Sequence, residues 1–75
     1  MRENLVQILA DTLGCRPEDL GDAPSMDTIP AWDSVAHLNV VVSVEQQYGV
    51  RLTIEEITGA RSVEKIGEIL RAHGK

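Results

Sequence analysis

The chain reads as an all-α fold with three main helices, one short helix and a long first loop. Three observations predict this. Apolar residues recur at helical spacing in three separate stretches. Glycine or a capping residue stands where those stretches begin or end. Loop-forming residues concentrate between positions 15 and 33. Together they describe one small domain, residues 1–75.

The first helix is expected over roughly residues 3–13. Leu5, Ile8, Leu9 and Leu13 recur on one face, with Glu3, Asn4, Gln7 and Asp11 between them. Gly14 is a natural stop and Pro17 secures it. Cys15, just past the helix, reads as a small buried apolar residue. A reactive thiol wants nearby cations or a helix N-terminus, and Arg16 alone is weak support.

Residues 15–33 form the long connection. Pro17-Glu18-Asp19-Leu20 suits a single turn, and Gly21, Asp22, Pro24, Ser25, Asp27 and Pro30 are loop formers. Leu20, Met26 and Ile29 are its expected anchors. A loop this long in a small domain is usually functional. Trp32, at its end, is expected to pack on the bundle and set the approach to residue 34.

The second helix is expected from Ser34 to Tyr48, stopping at Gly49. At about 100° per residue, His37, Val40, Val41, Val44 and Tyr48 share one side. Val35, Leu38 and Val42 fall nearly opposite. The longer stripe is the better core face, which leaves the other exposed unless something covers it. The run of valines raises strand propensity, but the helix-spaced pattern and the flanking Glu and Gln favour helix. Val50-Arg51-Leu52 is an extended link. Thr53-Ile54-Glu55-Glu56 fits a capping box. Gly59 then limits the third helix to about a turn and a half, too short to stand alone, so Ile54 and Ile57 are expected to pin it. Ser62 opens the last helix, whose apolar face is Val63, Ile66, Ile69 and Leu70. Gly67 within it suggests a close helix contact, and His73 reads as a solvated terminal residue. The expected core is Leu5, Leu9, Leu13, Val41, Val44, Tyr48, Ile57, Ile66 and Leu70.

Composition narrows the function classes. The net charge is −5, which disfavours a nucleic-acid partner and suits partners with basic patches. One cysteine makes no internal disulfide, and no Cys/His cluster has metal-ligand spacing. A reducing, cytoplasmic location is expected. Neither a signal peptide nor a membrane span is expected, for no apolar run approaches about 20 residues. A chain of 75 residues has little room for an enclosed active site beside a core.

The chemistry-bearing stretch is Trp32-Asp33-Ser34-Val35, where the loop becomes the second helix. The plain reading of Asp33-Ser34 is helix capping. A hydrolytic pair of Ser34 with His37, at i and i+3, is disfavoured because His37 falls on the core-facing stripe and no oxyanion hole can be argued. A small helical interaction domain with no prosthetic group, using only the Val35/Leu38/Val42 stripe, is the alternative.

The whole chain resembles the acyl carrier protein family, the phosphopantetheine-carrying four-helix bundle. Asp33-Ser34-Val35 is similar to the family's Asp-Ser-Leu attachment motif. Trp32 before it is common in stand-alone carriers of specialised pathways. Val44-Glu45-Gln46-Gln47-Tyr48-Gly49-Val50 matches the end of the family's second helix, and Ser62-Val63-Glu64-Lys65-Ile66 the start of its last. The resemblance implies a non-catalytic carrier, a monomer. A phosphopantetheinyl transferase would move 4'-phosphopantetheine from coenzyme A onto Ser34. The arm's thiol would then hold an acyl or aminoacyl group as a thioester, loaded by one enzyme and used by downstream transferases or synthases. Asp33 would flank the motif, and Val35, Leu38, Val42, Glu55 and Glu56 would dock partners.

Fatty-acid carriers have an acidic second helix. Here its exposed face offers Ala36, Asn39, Gln46 and Gln47, with Glu45 the only acid. Docking charge would come from Asp33, Glu55 and Glu56, with Asp22 and Asp27 in the loop. The resemblance therefore implies a specialised pathway: polyketide-like, nonribosomal peptide-like, surface-polysaccharide or aminoacyl chemistry. Peptidyl carriers usually have His before the serine, and Asp33 argues mildly against them.

Overall fold

The computed structural model describes residues 1–75. Its helices are α1 (Arg2–Leu13), α2 (Ser34–Tyr48), α3 (Ile54–Gly59) and α4 (Val63–Ala72), with a 3₁₀ turn at Pro17–Leu20. The all-α expectation holds. The extensive helix pairs are α1 with α2 and α1 with α4. The core between them joins Leu5, Leu9, Ala10, Val40, Val44, Val63, Ile66 and Leu70.

The helix ends follow from the residues at them. Gly14 and Gly49 both take positive φ, 73° and 63°, and close α1 and α2 as left-handed caps. An L side chain at either site would meet a steric penalty that glycine does not. Ser62 caps α4 by accepting from the Lys65 backbone N–H at 3.1 Å. The capping box on α3 is reciprocal. Glu56 N–H donates to Thr53 Oγ1 at 3.1 Å, and Thr53 N–H donates to Glu56 Oε1 at 2.9 Å.

The long connection is held at several points. Asp19 accepts from the Arg16 N–H, closing the 3₁₀ turn. The Arg2 guanidinium donates to the Asp22 carbonyl. A two-residue antiparallel bridge joins Ser25 to Ser62. Met26 N–H donates to the Arg61 carbonyl at 2.8 Å, and Val63 N–H to the Pro24 carbonyl at 3.1 Å. Leu20 and Pro24 are buried, while Met26 and Ile29 are half-buried against the core. Pairing the loop to the start of α4 satisfies backbone groups that burial would otherwise leave unpaired.

Several expectations need correction. Leu13, Tyr48 and Ile57 are half-buried rather than central. Ala10 and Ala60 are fully buried instead, because small residues sit where backbones approach. Ile54 does not pin α3. It is 82% exposed. A six-residue helix has one narrow inward face, and its first residue points away from it. Ala60 and polar links hold α3 in place. Gly67 is buried, but a Cβ there would meet only Leu5 Cδ1 at 3.9 Å. That is ordinary van der Waals contact, so packing does not require glycine. His73 is not a free terminal residue, since its Nε2 lies 2.9 and 3.1 Å from the two Glu56 oxygens.

Glu56 thus holds α3 to the end of α4, and its ionisation is linked to folding. The Thr53 backbone N–H holds its carboxyl below the ordinary glutamate range, and His73 adds to this against partial desolvation. A depressed folded-state pKa gives stability that is fully present above the unfolded-state value and is lost as pH falls through the folded one. Acid titration of urea midpoints should therefore show stability falling below the ordinary glutamate range. Glu56→Gln should flatten part of that fall. An unchanged acid slope in the variant would remove Glu56 from the acid response.

Candidate attachment site at the start of helix α2

The site is the junction of the long loop with α2. Asp33, in extended conformation, is the N-cap. Its Oδ1 accepts from the Ala36 N–H at 2.9 Å, and its carbonyl accepts from the His37 N–H at 2.9 Å. Capping therefore falls to Asp33, and Ser34 is the first helical residue. Ser34 is exposed and makes no side-chain hydrogen bond, so its hydroxyl is free. It lines none of the four surface clefts and stands on an open surface.

Trp32 fixes the loop's approach. Its ring is only 1% exposed and joins the core. Its backbone N–H donates to the Ile29 carbonyl at 3.0 Å, turning the chain just before the cap. The ring N–H, Nε1, donates to Nδ1 of His37 at 3.1 Å. His37 is buried on the inner face of α2, its ring tilted 40° against the indole at 5.9 Å. Indole can only donate. Nδ1 is therefore the acceptor, the ring proton lies on Nε2, and Nε2 donates to the Ile57 carbonyl at 2.8 Å. Both His37 nitrogens are taken, so neither faces Ser34 as a base.

The two stripes of α2 separate as the periodicity predicts. His37, Val40, Val41 and Val44 are buried. Val35, Leu38 and Val42 are 73%, 60% and 49% exposed. Ile54 of α3, expected to pin that helix, adds a fourth exposed apolar side chain instead. Glu45, the only acid on α2, is turned inward, its Oε2 accepting from the Leu52 N–H at 2.8 Å. Of the other acids, Glu55 is exposed, Asp27 pairs with Arg61 at 3.2 Å, and Glu56 is engaged by Thr53 and His73.

Residues 3–70, nearly the whole chain, match the family described as PP-binding: Phosphopantetheine attachment site. The chain belongs to this phosphopantetheine-attachment family. It is a carrier protein whose cofactor is covalent 4'-phosphopantetheine, and such carriers are generally non-catalytic. They work with a phosphopantetheinyl transferase and with biosynthetic enzymes.

The junction fits such a group. A carrier's acceptor needs an exposed hydroxyl on an ordered element, and Ser34 offers one. A phosphodiester there would sit at the positive end of the α2 dipole, beside the first-turn N–H groups of Ser34 and Val35. The bound group supplies a thiol that carries cargo as a thioester. The chain's own residues hold the serine at the helix start and keep its oxygen in solvent. No helix is long and apolar enough to cross a membrane.

Proposed function

We propose that Ser34 carries the phosphopantetheine arm, and that the arm holds an acyl or aminoacyl group for a specialised biosynthetic pathway. One observation carries the reading: Ser34 has a free, exposed hydroxyl at the first position of α2 while Asp33 does the capping. Asp33 flanks the site and leaves one carboxylate oxygen for a basic or metal-bearing partner. The chain serves as one carrier domain and a substrate for partner enzymes, not itself a catalyst, and works as a cytoplasmic monomer. Incubation with coenzyme A, Mg²⁺ and a broad-specificity phosphopantetheinyl transferase tests the reading. Intact mass should rise by one phosphopantetheine, and fragmentation should place it on Ser34. No gain would overturn it.

Val35, Leu38 and Val42 form the docking stripe beside the arm, and exposed Glu55 on α3 adds docking charge, while the Glu56 carboxylate is already held by Thr53 and His73. An exposed apolar patch on a small domain marks a partner site. The inward turn of Glu45 leaves the stripe nearly uncharged. This supports a specialised pathway over a fatty-acid one, with docking that depends on apolar burial and only weakly on salt. Leu38→Asp should slow modification or loading severalfold. At an exposed position it should change stability by no more than about 0.5 kcal/mol. Transferase kinetics and thermal unfolding on the same variant check both halves. A collapsed fold would make Leu38 a core residue, and normal kinetics with every partner would remove the stripe from docking.

A further inference from the structure

We propose that His37 is a positioning residue that ties α3 to the segment delivering Ser34. A single ring, held as the Nε2–H tautomer, does this. The proposal rests on Ser34 being the attachment site.

His37 stands on α2, Trp32 on the loop and Ile57 on α3, and the ring bonds both neighbours at once. Few other contacts hold α3. It is six residues long, below the length at which a helix persists alone. Its Ile54 faces solvent, and α3 is absent from the extensive helix pairs. The Ile57 carbonyl therefore ties α3 to α2 through His37. The same ring, at its other nitrogen, fixes the indole one residue before the cap.

The two hydrogen bonds are also linked chemically. Nδ1 accepts only while the ring proton stays on Nε2, and Nε2 donates only while the proton is there. Loss of the indole donor lets the ring take the other tautomer or rotate, and the Ile57 bond is then lost as well. Chains of hydrogen bonds in a low-dielectric interior strengthen one another in the same way. The exposed apolar side chains of α2 (Val35, Leu38) and of α3 (Ile54) thus keep one relative arrangement. A partner that reads both helices meets a preformed surface, not one it must order at its own cost.

Nuclear magnetic resonance tests the link on the unaltered chain first. The ¹⁵N shifts of His37 should report an unprotonated Nδ1 and a protonated Nε2. The Nδ1–H tautomer would overturn the proposal. Trp32→Phe then removes the indole donor and part of the ring's bulk while keeping an aromatic ring, so α1 serves as the internal control for the packing loss. Amide exchange in α3, at residues 57–59, should speed up about tenfold more than in α1. Equal acceleration in both helices would mark a general loss of stability and overturn the link, as would unchanged α3 exchange. His37→Leu should raise the transferase KM roughly tenfold, with a smaller change in kcat, because misplacement of docking groups by about 1 Å can cost as much as 10²-fold. His37→Gln, which keeps one donor and one acceptor, should recover part of it. Wild-type kinetics in His37→Leu would overturn the positioning role. If the unaltered chain takes no arm, the attachment reading fails, while the tautomer and exchange results still decide the link.

Discussion

Trp32→Ala should destabilise the domain by about 3–5 kcal/mol, the usual cost of removing a buried large aromatic and leaving a cavity. The indole is 1% exposed and is the largest fully buried side chain. Its loss also strands Nδ1 of His37, a buried acceptor that would cost about 1–3 kcal/mol if nothing replaces the donor. The whole domain has little to lose. At about 0.05–0.15 kcal/mol per residue, its total stability is on the order of 4–11 kcal/mol. Trp32→Ala should therefore leave a chain that is partly unfolded at room temperature. Urea unfolding followed by far-ultraviolet circular dichroism measures the change without relying on the tryptophan. A loss under about 1 kcal/mol would mean that the loop is not anchored by this ring.

Ser34→Ala should abolish the gain of phosphopantetheine completely while leaving stability within about 0.5 kcal/mol. The two effects separate because Asp33 caps α2, and the Ser34 hydroxyl bonds to nothing in the fold. Alanine is also a good helix former at that position. Intact mass after treatment with coenzyme A and transferase, with thermal unfolding on the same sample, reads both. A gain that persists would move the attachment point to another hydroxyl. A stability loss well beyond that range would give Ser34 a structural role that its exposure does not support.

Much of the fold was legible because helical periodicity is a local property. The start and stop of α2, at Ser34 and Gly49, follow from a capping aspartate, a helix-spaced apolar stripe and a glycine able to take positive φ. The Thr53–Glu56 box was legible for the same reason, since its partners lie three residues apart. The separation of Val35, Leu38 and Val42 from His37, Val40 and Val44 is arithmetic on about 100° per residue.

The errors fall where contact depends on residues distant in the chain. Ile54 is as apolar as Ile57, and only the seating of α3 decides which faces outward. His73 looked like a solvated end until the fold brought it to Glu56, 17 residues away. Glu45 looked like a surface charge, yet it takes the Leu52 N–H across the turn after α2.

From the sequence alone came the helical fold, the place of Ser34 at a loop-to-helix junction, and the family that its motif resembles. These rest on short-range patterns of polarity and capping. The tertiary structure alone decided that Asp33 caps while Ser34 stays free, and that Trp32 is wholly buried. It also decided that His37 spends both ring nitrogens joining Trp32 to a carbonyl 20 residues on. Periodicity states which side a residue faces. It does not state which partner waits there, because that partner is supplied by the packing of a different element.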